Sequence, residues 1–274
     1  MSSPLATGAS DGFVVTRETR RFEEFCGACA RYRYIGVCVG APGVGKTASA
    51  KRYARWDVLE PLFPRYAYTA QPPPEVATCR SVFYTPPVAN SPAAIAGEVE
   101  RRRSLVSWLV DAAARATRRD VAAEPQGVAD HTNLLLVDEA NRLKMTGLEQ
   151  LRDLYDRDGF GLVLLGMPGL ERSLARYPQL YSRVGFVHQF HALDAEETRA
   201  IIVERSTELG VERSPEAFAD EEAVAAMIRI TGGNFRLIQR LLQQVDRILA
   251  INALRVVTSD VVAAARDSLV IGAA

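Results

Sequence analysis

The residues with the clearest chemical potential form a glycine-rich run that begins at Gly40 and ends at Thr47. Its glycines allow successive backbone N–H groups to turn toward a bound polyanion, and a helix that starts there directs its positive N-terminal end at the same anion. In this pattern the lysine reaches the β- and γ-phosphates of a nucleotide, and the threonine offers its hydroxyl to Mg²⁺. We therefore predict a P-loop that binds ATP and Mg²⁺, made of Gly40, Ala41, Pro42, Gly43, Val44, Gly45, Lys46 and Thr47.

Two adjacent carboxylates, Asp138 and Glu139, follow the apolar run 134–137, which has the length and composition of a strand buried on both faces. The first acid at such a strand end can hold Mg²⁺ through its water shell, and the second can deprotonate the water that attacks the γ-phosphate. Without other motifs, an Asp-Glu pair at the end of a strand is usually only exposed to solvent. Together with the P-loop it predicts hydrolysis, with Thr47 and Asp138 at the metal and Glu139 as the base.

Two arginines complete the candidate site. Arg236 lies at the start of a predicted C-terminal helix, from which it could fold back onto the γ-phosphate. Arg183 directly precedes the last predicted strand, and there it could serve the nucleotide of a neighbouring subunit as an arginine finger. For each arginine the alternative is a surface salt bridge.

The elements that must position these residues alternate between strand and helix in the first part of the chain. The predicted strands are 35–39, 81–85, 134–137, 161–165 and 184–190, and the predicted helices between and before them are 19–32, 46–56, 91–119, 147–156 and 169–176. This alternation implies a parallel sheet flanked by helices, connected by right-handed crossovers. From residue 195 onward only helical patterns remain. We predict a disordered tail at 1–16, an α/β core at 17–191 and a small all-helical lid domain at 192–274.

Taken together, these motifs resemble the AAA+ ATPases, whose fold is a P-loop NTPase core with a C-terminal helical lid. Within that class, residues 31–36, 137–143 and 165–183 are similar to transposition regulators of the MuB, TnsC and TniB type. The resemblance implies homo-oligomers formed in the ATP state, often as filaments or rings on duplex DNA. Such proteins select target sites and recruit a transposase, in some cases with a targeting adaptor, and ATP hydrolysis disassembles them.

One position departs from the AAA+ pattern. These proteins usually carry Asn, Thr or Ser at the end of the fourth core strand, where it aligns the attacking water. Met167 occupies that place here, and a thioether cannot perform that task. Hydrolysis is then slow or dependent on a partner, unless the alignment is shifted by one residue.

The resemblance also places DNA against the segment between the second strand and the Asp-Glu strand. That segment is rich in arginines at helical spacing, which would present a basic stripe to phosphates without reading the base sequence. The ordinary alternative is a solvated helix face, since Glu98 and Glu100 dilute the charge. The candidate DNA-contacting residues are Arg101, Arg102, Arg103, Arg115, Arg118 and Arg119.

Composition sets few further limits. Basic and acidic residues balance at 33 each, and only Lys46, Lys51 and Lys144 are lysines, so arginine carries most of the positive charge. This bias suits contacts with polyanions, although a GC-rich genome would produce it equally well.

No apolar stretch approaches the roughly 20 residues of a membrane span, and we expect a cytoplasmic protein. Cys26 and Cys29 are spaced as half of a zinc pattern but lack a second half, which favours packing over metal or redox chemistry.

The sequence thus predicts a DNA-binding AAA+ ATPase that regulates transposition. Two alternatives stay open at this point. One is another AAA+ loader or remodeller, such as a replication initiator or a helicase loader, which differs mainly in its partner. The other is a nucleotide-gated signalling ATPase that does not bind DNA.

Overall fold

A computed structural model describes residues 13–63, 72–118, 129–208 and 221–269. The chain divides into two compact units. The helical unit takes the described residues of Met1–Arg20, Ala41–Gly45 and His191–Ala274, and the sheet unit takes those of Arg21–Gly40 and Lys46–Phe190. The central part of the P-loop is therefore grouped with the C-terminal helices, whereas Lys46 and Thr47 belong to the sheet unit.

A five-stranded parallel sheet forms the centre of the sheet unit, in the order β2-β3-β4-β1-β5. The strands are β1 (Ile35–Val39), β2 (Ser81–Tyr84), β3 (Leu134–Val137), β4 (Gly161–Gly166) and β5 (Val184–Gln189). All five match the predicted strands to within one residue at each end. Because parallel strands end at the same edge, the segments that follow β1, β3 and β4 meet at the carboxyl edge of the sheet, where open α/β sheets bind ligands.

Burial explains why these segments form strands. Every residue of β1, β2, β3 and β4 is buried, whereas the exposure of β5 alternates, as expected for a strand with one face toward solvent. Each large apolar side chain removed from water stabilises the fold by about 1.5–3 kcal/mol. The largest fully buried side chains of this unit include Trp56, Phe22, Phe160, Ile35, Leu135, Leu151 and Leu162.

The helices of this part of the chain follow the predicted positions, with two local differences. The predicted helix 46–56 stops at Tyr53, because Arg55 adopts a left-handed backbone conformation (φ 50°), and a separate short helix begins at Trp56. In addition, no sequence pattern indicated the four-residue helix before Arg183. The helices are α1 (Arg17–Tyr32), α2 (Lys46–Tyr53), α3 (Trp56–Leu59), α4 (Pro92–Arg118), α5 (Met145–Asp158), α6 (Leu170–Leu174) and α7 (Pro178–Tyr181).

The helical unit has its own hydrophobic core. Apolar residues from four helices pack together with Val14, Leu193 and Val257. Side-chain caps begin two of these helices: Asn234 accepts a hydrogen bond from the backbone N–H of Leu237, and Thr258 accepts one from that of Val261. The helices are α8 (Ala195–Glu208), α9 (Glu221–Thr231), α10 (Phe235–Asn252) and α11 (Ser259–Asp267).

The cysteines are packing residues in this structure. All four are buried and carry free thiols. Burial raises the pKa of Cys29 to about 12 and raises that of Cys26 as well, which leaves both as neutral thiols. In the described ranges, no helix is both long enough and apolar enough to cross a membrane.

Candidate nucleotide site

The P-loop lysine lies where the glycine-rich turn meets α2. Lys46 is buried, and its Nζ donates a hydrogen bond to the carbonyl oxygen of Gly40 at 2.6 Å. The N–H of Gly40 donates in turn to the carbonyl oxygen of Gly166 at the end of β4. The ammonium group is thus held at the start of the loop, against the carboxyl ends of β1 and β4.

A direct hydrogen bond joins the P-loop to the Asp-Glu segment. The hydroxyl of Thr47 donates to Oδ2 of Asp138 at 2.8 Å. Burial raises the pKa of Asp138, although the hydrogen bonds from Thr47 and from the backbone of Glu139, and the charge of Lys46, act in the opposite direction. A hydroxyl and a carboxylate oxygen at this separation suit Mg²⁺, which prefers oxygen ligands and retains several waters. The donor set therefore fits the predicted ion.

Glu139 has a strained backbone and an accessible side chain. Its φ is 52°, an uncommon value for a residue that is not glycine, and its N–H donates to Oδ1 of Asp138 at 2.9 Å. Its side chain is 46% exposed, and Oε2 lies 3.9 Å from Nε of Arg142. The carboxylate of Glu139 is therefore open to a water molecule, whereas that of Asp138 is buried. A base and a metal ligand with separate roles require this difference.

In the helical unit, the middle of the P-loop contacts the start of α10. The N–H of Arg236 donates to the carbonyl oxygen of Gly43 at 3.1 Å. Asn234 donates through Nδ2 to the carbonyl oxygen of Pro42 at 2.8 Å, while its Oδ1 caps the helix. The side chain of Arg236 is exposed, and within the described residues its guanidinium has no ion pair. Sequence reasoning missed Asn234, although its position directly before a helix was the signal for a cap.

Arg183 is engaged inside its own subunit. Its Nε donates to Oδ1 of Asp156 at 2.7 Å, and its Nη1 donates to the carbonyl oxygen of Gln179. The side chain lies just before β5, as predicted, and is partly exposed. Its action in trans remains a prediction, and it requires that the pair with Asp156 open.

The end of β4 carries the methionine that the sequence placed there. Met167 follows the last residue of β4, and its side chain is 40% exposed. A polar side chain is nevertheless present: Oδ1 of Asn141 accepts a hydrogen bond from the N–H of Met167 at 2.7 Å. Asn141 comes from the 3₁₀ turn Ala140–Arg142 that follows Glu139. Nothing local in the sequence indicates that Asn141 reaches a different strand.

The first three candidate DNA-contacting arginines lie on α4 and differ in their surroundings. Arg101 is 54% exposed and pairs with Glu98 at 2.8 Å. Arg102 lies over the rings of Trp56 and Tyr84. Arg103 is only 9% exposed and pairs with both Asp130 and Asp158. The last two are therefore occupied within the fold, and of these three only Arg101 presents its guanidinium to solvent.

The other three candidates lie at or beyond the C-terminal end of α4. Arg115 is partly buried on the helix, Arg118 is its last residue, and Arg119 lies outside the described residues. The structure therefore brings together the P-loop lysine and threonine with both carboxylates. Of the four candidate arginines whose side chains the structure describes, Arg102 and Arg103 are occupied within the fold, so these four do not form one exposed stripe.

Comparison with known proteins shows the family of this chain. Residues 30–174 match a family described as the AAA domain. The chain belongs to this AAA domain family. It is 39% identical over 272 residues to a potential ATP-binding protein from Staphylococcus aureus, covering 96% of this chain and 98% of that protein.

Two solved AAA-domain structures are similar in fold. One is the Holliday junction branch migration motor RuvB of Thermotoga maritima, with 17% identity and a TM-score of 0.56 over 93% of this chain and 70% of that one. The other is the ORC2 protein of Aeropyrum pernix, with 17% identity and a TM-score of 0.57 over 92% and 68% of the two chains. At this level of identity the likeness concerns the fold, and it confirms the predicted AAA+ P-loop architecture with C-terminal helices.

Proposed function

We propose that this AAA domain protein binds ATP with Mg²⁺ and hydrolyses it to ADP and phosphate. The observation that carries the proposal is the 2.8 Å hydrogen bond from Thr47 to Asp138, with the exposed carboxylate of Glu139 next in the chain. This contact joins a phosphate-binding loop to an acidic strand end in the arrangement that phosphoryl transfer to water requires.

Each group has a distinct part in the reaction. The oxygen of a water molecule forms a bond to the γ-phosphorus as the bond to the β–γ bridging oxygen breaks. Glu139 accepts the proton of that water, and ADP leaves with the bond electrons. Lys46 places its charge against the phosphate oxygens. Thr47 and Asp138 would hold Mg²⁺, which would supply positive charge to the phosphate oxygens.

We further propose that ATP promotes assembly of the protein on duplex DNA and that hydrolysis reverses it. Arg236, anchored to the P-loop through its backbone, supplies positive charge within the subunit, and Arg183 supplies it to the next subunit. The role of this assembly is regulation of transposition: it selects a target, and it recruits a transposase, with or without an adaptor. The resemblance of segments 31–36, 137–143 and 165–183 to transposition regulators supports this role.

The experiment that tests ATP binding compares the wild type with Lys46→Ala. We expect the wild type to bind a fluorescent ATP analogue in the presence of Mg²⁺ and to release phosphate. The variant should lose both activities, because the ammonium group that faces the phosphates is gone. Retention of tight ATP binding by Lys46→Ala would contradict the site assignment.

A second experiment tests DNA binding. We expect ATP-dependent binding to random duplex DNA that weakens with salt, because phosphate contacts release counterions. Arg101→Ala and Arg115→Ala should each reduce the slope of log affinity against log salt by about 1, because each removes one cation from a DNA phosphate. Arg172→Ala is the matched control, since Arg172 lies on α6 and its side chain is 89% exposed.

The outcomes of this assay separate the alternatives. Hydrolysis without any salt-dependent binding to DNA would replace the proposal with a nucleotide-gated signalling ATPase. Binding to DNA without any effect on transposase recruitment would favour a loader or remodeller of another kind.

A further inference from the structure

The carboxyl edge of the sheet contains a polar side chain that the proposed mechanism has not used. Asn141 lies two residues after Glu139, and its side chain is bound to the end of β4. We propose that Asn141, and not the residue at the end of β4 itself, donates a hydrogen bond to the γ-phosphate during hydrolysis. This inference rests on the proposed function, since it assigns a further residue to the same reaction.

The order of the strands in the sheet places Asn141 between the P-loop and the Asp-Glu segment. Within the sheet, β4 lies between β1, which leads into the P-loop, and β3, which leads into Asp138 and Glu139. A side chain over the end of β4 therefore lies between Lys46 on one side and Glu139 on the other. That is the place where the γ-phosphate and its attacking water must be held.

A chain of short contacts supports this placement. Lys46 donates to the carbonyl oxygen of Gly40, whose own N–H donates to the carbonyl oxygen of Gly166. The N–H of Met167, which belongs to the same peptide group as the carbonyl of Gly166, donates to Oδ1 of Asn141. The ammonium group of Lys46 and the amide of Asn141 are thus connected through Gly40 and this peptide group.

Gly166 makes room for the amide. A Cβ atom at this position would lie 2.2 Å from Oδ1 of Asn141, so any larger residue would displace the Asn141 side chain. The same Cβ atom would lie 2.7 Å from Cδ2 of Leu170. The absence of a side chain at the last position of β4 therefore permits the observed position of the Asn141 amide.

The contact with Met167 also decides which end of the amide faces the site. A backbone N–H can donate only to the amide oxygen, so Oδ1 is occupied and Nδ2 remains as the donor. Asn141 is exposed, and within the described residues Nδ2 has no hydrogen-bond partner. An NH₂ group can donate to a phosphate oxygen as negative charge develops there, and fixed donors of this kind lower the barrier in water-excluded sites.

The test compares Asn141→Asp with Asn141→Ala. Asp keeps an oxygen that accepts from Met167 but has no donor, whereas Ala removes both. We expect both variants to lower kcat by about 100-fold, the usual effect of losing one such donor. Both should bind MgADP with the affinity of the wild type, because ADP has no γ-phosphate, and both should fail to bind MgADP with aluminium fluoride, a mimic of the transition state. Met167→Leu is the control and should hydrolyse ATP at the wild-type rate.

The results separate this inference from the function on which it rests. If Asn141→Asp or Asn141→Ala hydrolyses ATP at the wild-type rate, the inference is wrong and the ATPase proposal stands. If Met167→Leu shows the same loss as the two Asn141 variants, the loss does not depend on the amide donor of Asn141 and the inference is again wrong. If the wild type neither binds nor hydrolyses ATP under any condition, the ATPase proposal and the inference both fail.

Discussion

At the scale of single residues, the site separates two carboxylates by their surroundings. Asp138 is buried and bonded to Thr47, while its neighbour Glu139 is exposed and has a left-handed backbone. A positive φ at a non-glycine residue costs of order 1–3 kcal/mol and persists where the surrounding structure requires it. Here it turns the chain so that Glu139 faces solvent and Asn141 reaches β4.

This separation predicts the effect of Glu139→Gln. The variant keeps the size and the backbone conformation of the side chain but cannot accept a proton, so ATP binding should persist while turnover falls by at least about 100-fold. Single-turnover measurement of phosphate release, together with filter binding of ATP, would test this. Glu171→Gln, which changes an acid on α6, serves as the control. Unchanged turnover in Glu139→Gln would remove Glu139 from the mechanism.

At the scale of elements, the P-loop depends on a glycine conformation and on a helix start. Gly43 has a φ of 83°, which is strained for any other residue. A Cβ atom there would lie 2.6 Å from Oδ1 of Asn234 and 2.8 Å from Cβ of Arg236. Within the helical unit, the loop and the start of α10 therefore pack closely against each other.

We expect Gly43→Ala to lower the free energy of unfolding by about 1–2 kcal/mol, because the left-handed backbone becomes strained. Nucleotide affinity should fall as well, since the loop must shift away from Asn234. Gly97→Ala is the matched control, because nothing lies within 4 Å of the added Cβ on α4. Replacing a glycine inside a helix with alanine should raise stability by about 0.5–1 kcal/mol. Urea unfolding and ATP titration of both variants would test the pair.

The helix α4 carries a second element-scale feature, the buried guanidinium of Arg103. It pairs with Asp130 before β3 and with Asp158 at the end of α5, and it lies over the ring of Phe160. Burial is the largest single effect and raises the pKa of each carboxyl, but several other effects together lower the pKa of both. These effects are hydrogen bonds from Thr132 and the charge of Arg103 for Asp130, and hydrogen bonds from Arg157 and Arg103 for Asp158.

Arg103→Met should therefore destabilise the protein by about 2–4 kcal/mol at pH 7, because it removes the ion pair of Asp130 and one of the two ion pairs of Asp158. A lowered carboxyl pKa contributes stability that is present above the ordinary value and is lost as the pH falls through the lowered one. The difference between variant and wild type should thus shrink below about pH 4, the ordinary range for Asp. Arg157→Ala removes an exposed partner of the same Asp158 and should cost less than about 1 kcal/mol. An equal loss at pH 7 and pH 3 would contradict this electrostatic account.

At the scale of the whole molecule, the open question is whether neighbouring subunits share a site. Arg183 now pairs with Asp156, so it must exchange this partner for a phosphate if it acts in trans. A head-to-tail assembly would repeat this interface at each subunit, and ATP at the interface would couple nucleotide state to assembly.

Mixing two inactive variants provides the sharpest test of this arrangement. Arg183→Ala retains Glu139, and Glu139→Gln retains Arg183, so neither should hydrolyse ATP alone. In an equal mixture, about a quarter of the interfaces would join an intact Glu139 to an intact Arg183, and activity should return to that extent. A mixture that stays inactive, or an Arg183→Ala variant that is active alone, would contradict the trans role. Turnover per subunit of the wild type should also fall on dilution.

Local patterns in the sequence predicted the candidate site residues and most of the strands and helices. The P-loop, the Asp-Glu pair and the five strands depend on residues close together in the chain, where turn geometry and hydrophobic periodicity act locally. Short or interrupted elements were not predicted. The left-handed backbone at Arg55 divides a helix that was predicted as continuous, and the four residues of the helix before Arg183 are too few to show a hydrophobic period.

Contacts between residues that are distant in the chain became visible in the folded protein. The order β2-β3-β4-β1-β5 brings Asn141 over the end of β4, and the packing of α4 encloses Arg103 between two aspartates that lie far from it in the chain. Such contacts follow from strand pairing and burial, which no local pattern specifies. The sequence of the arginine run predicts a basic stripe, but in the folded protein some of these arginines are buried and others are exposed.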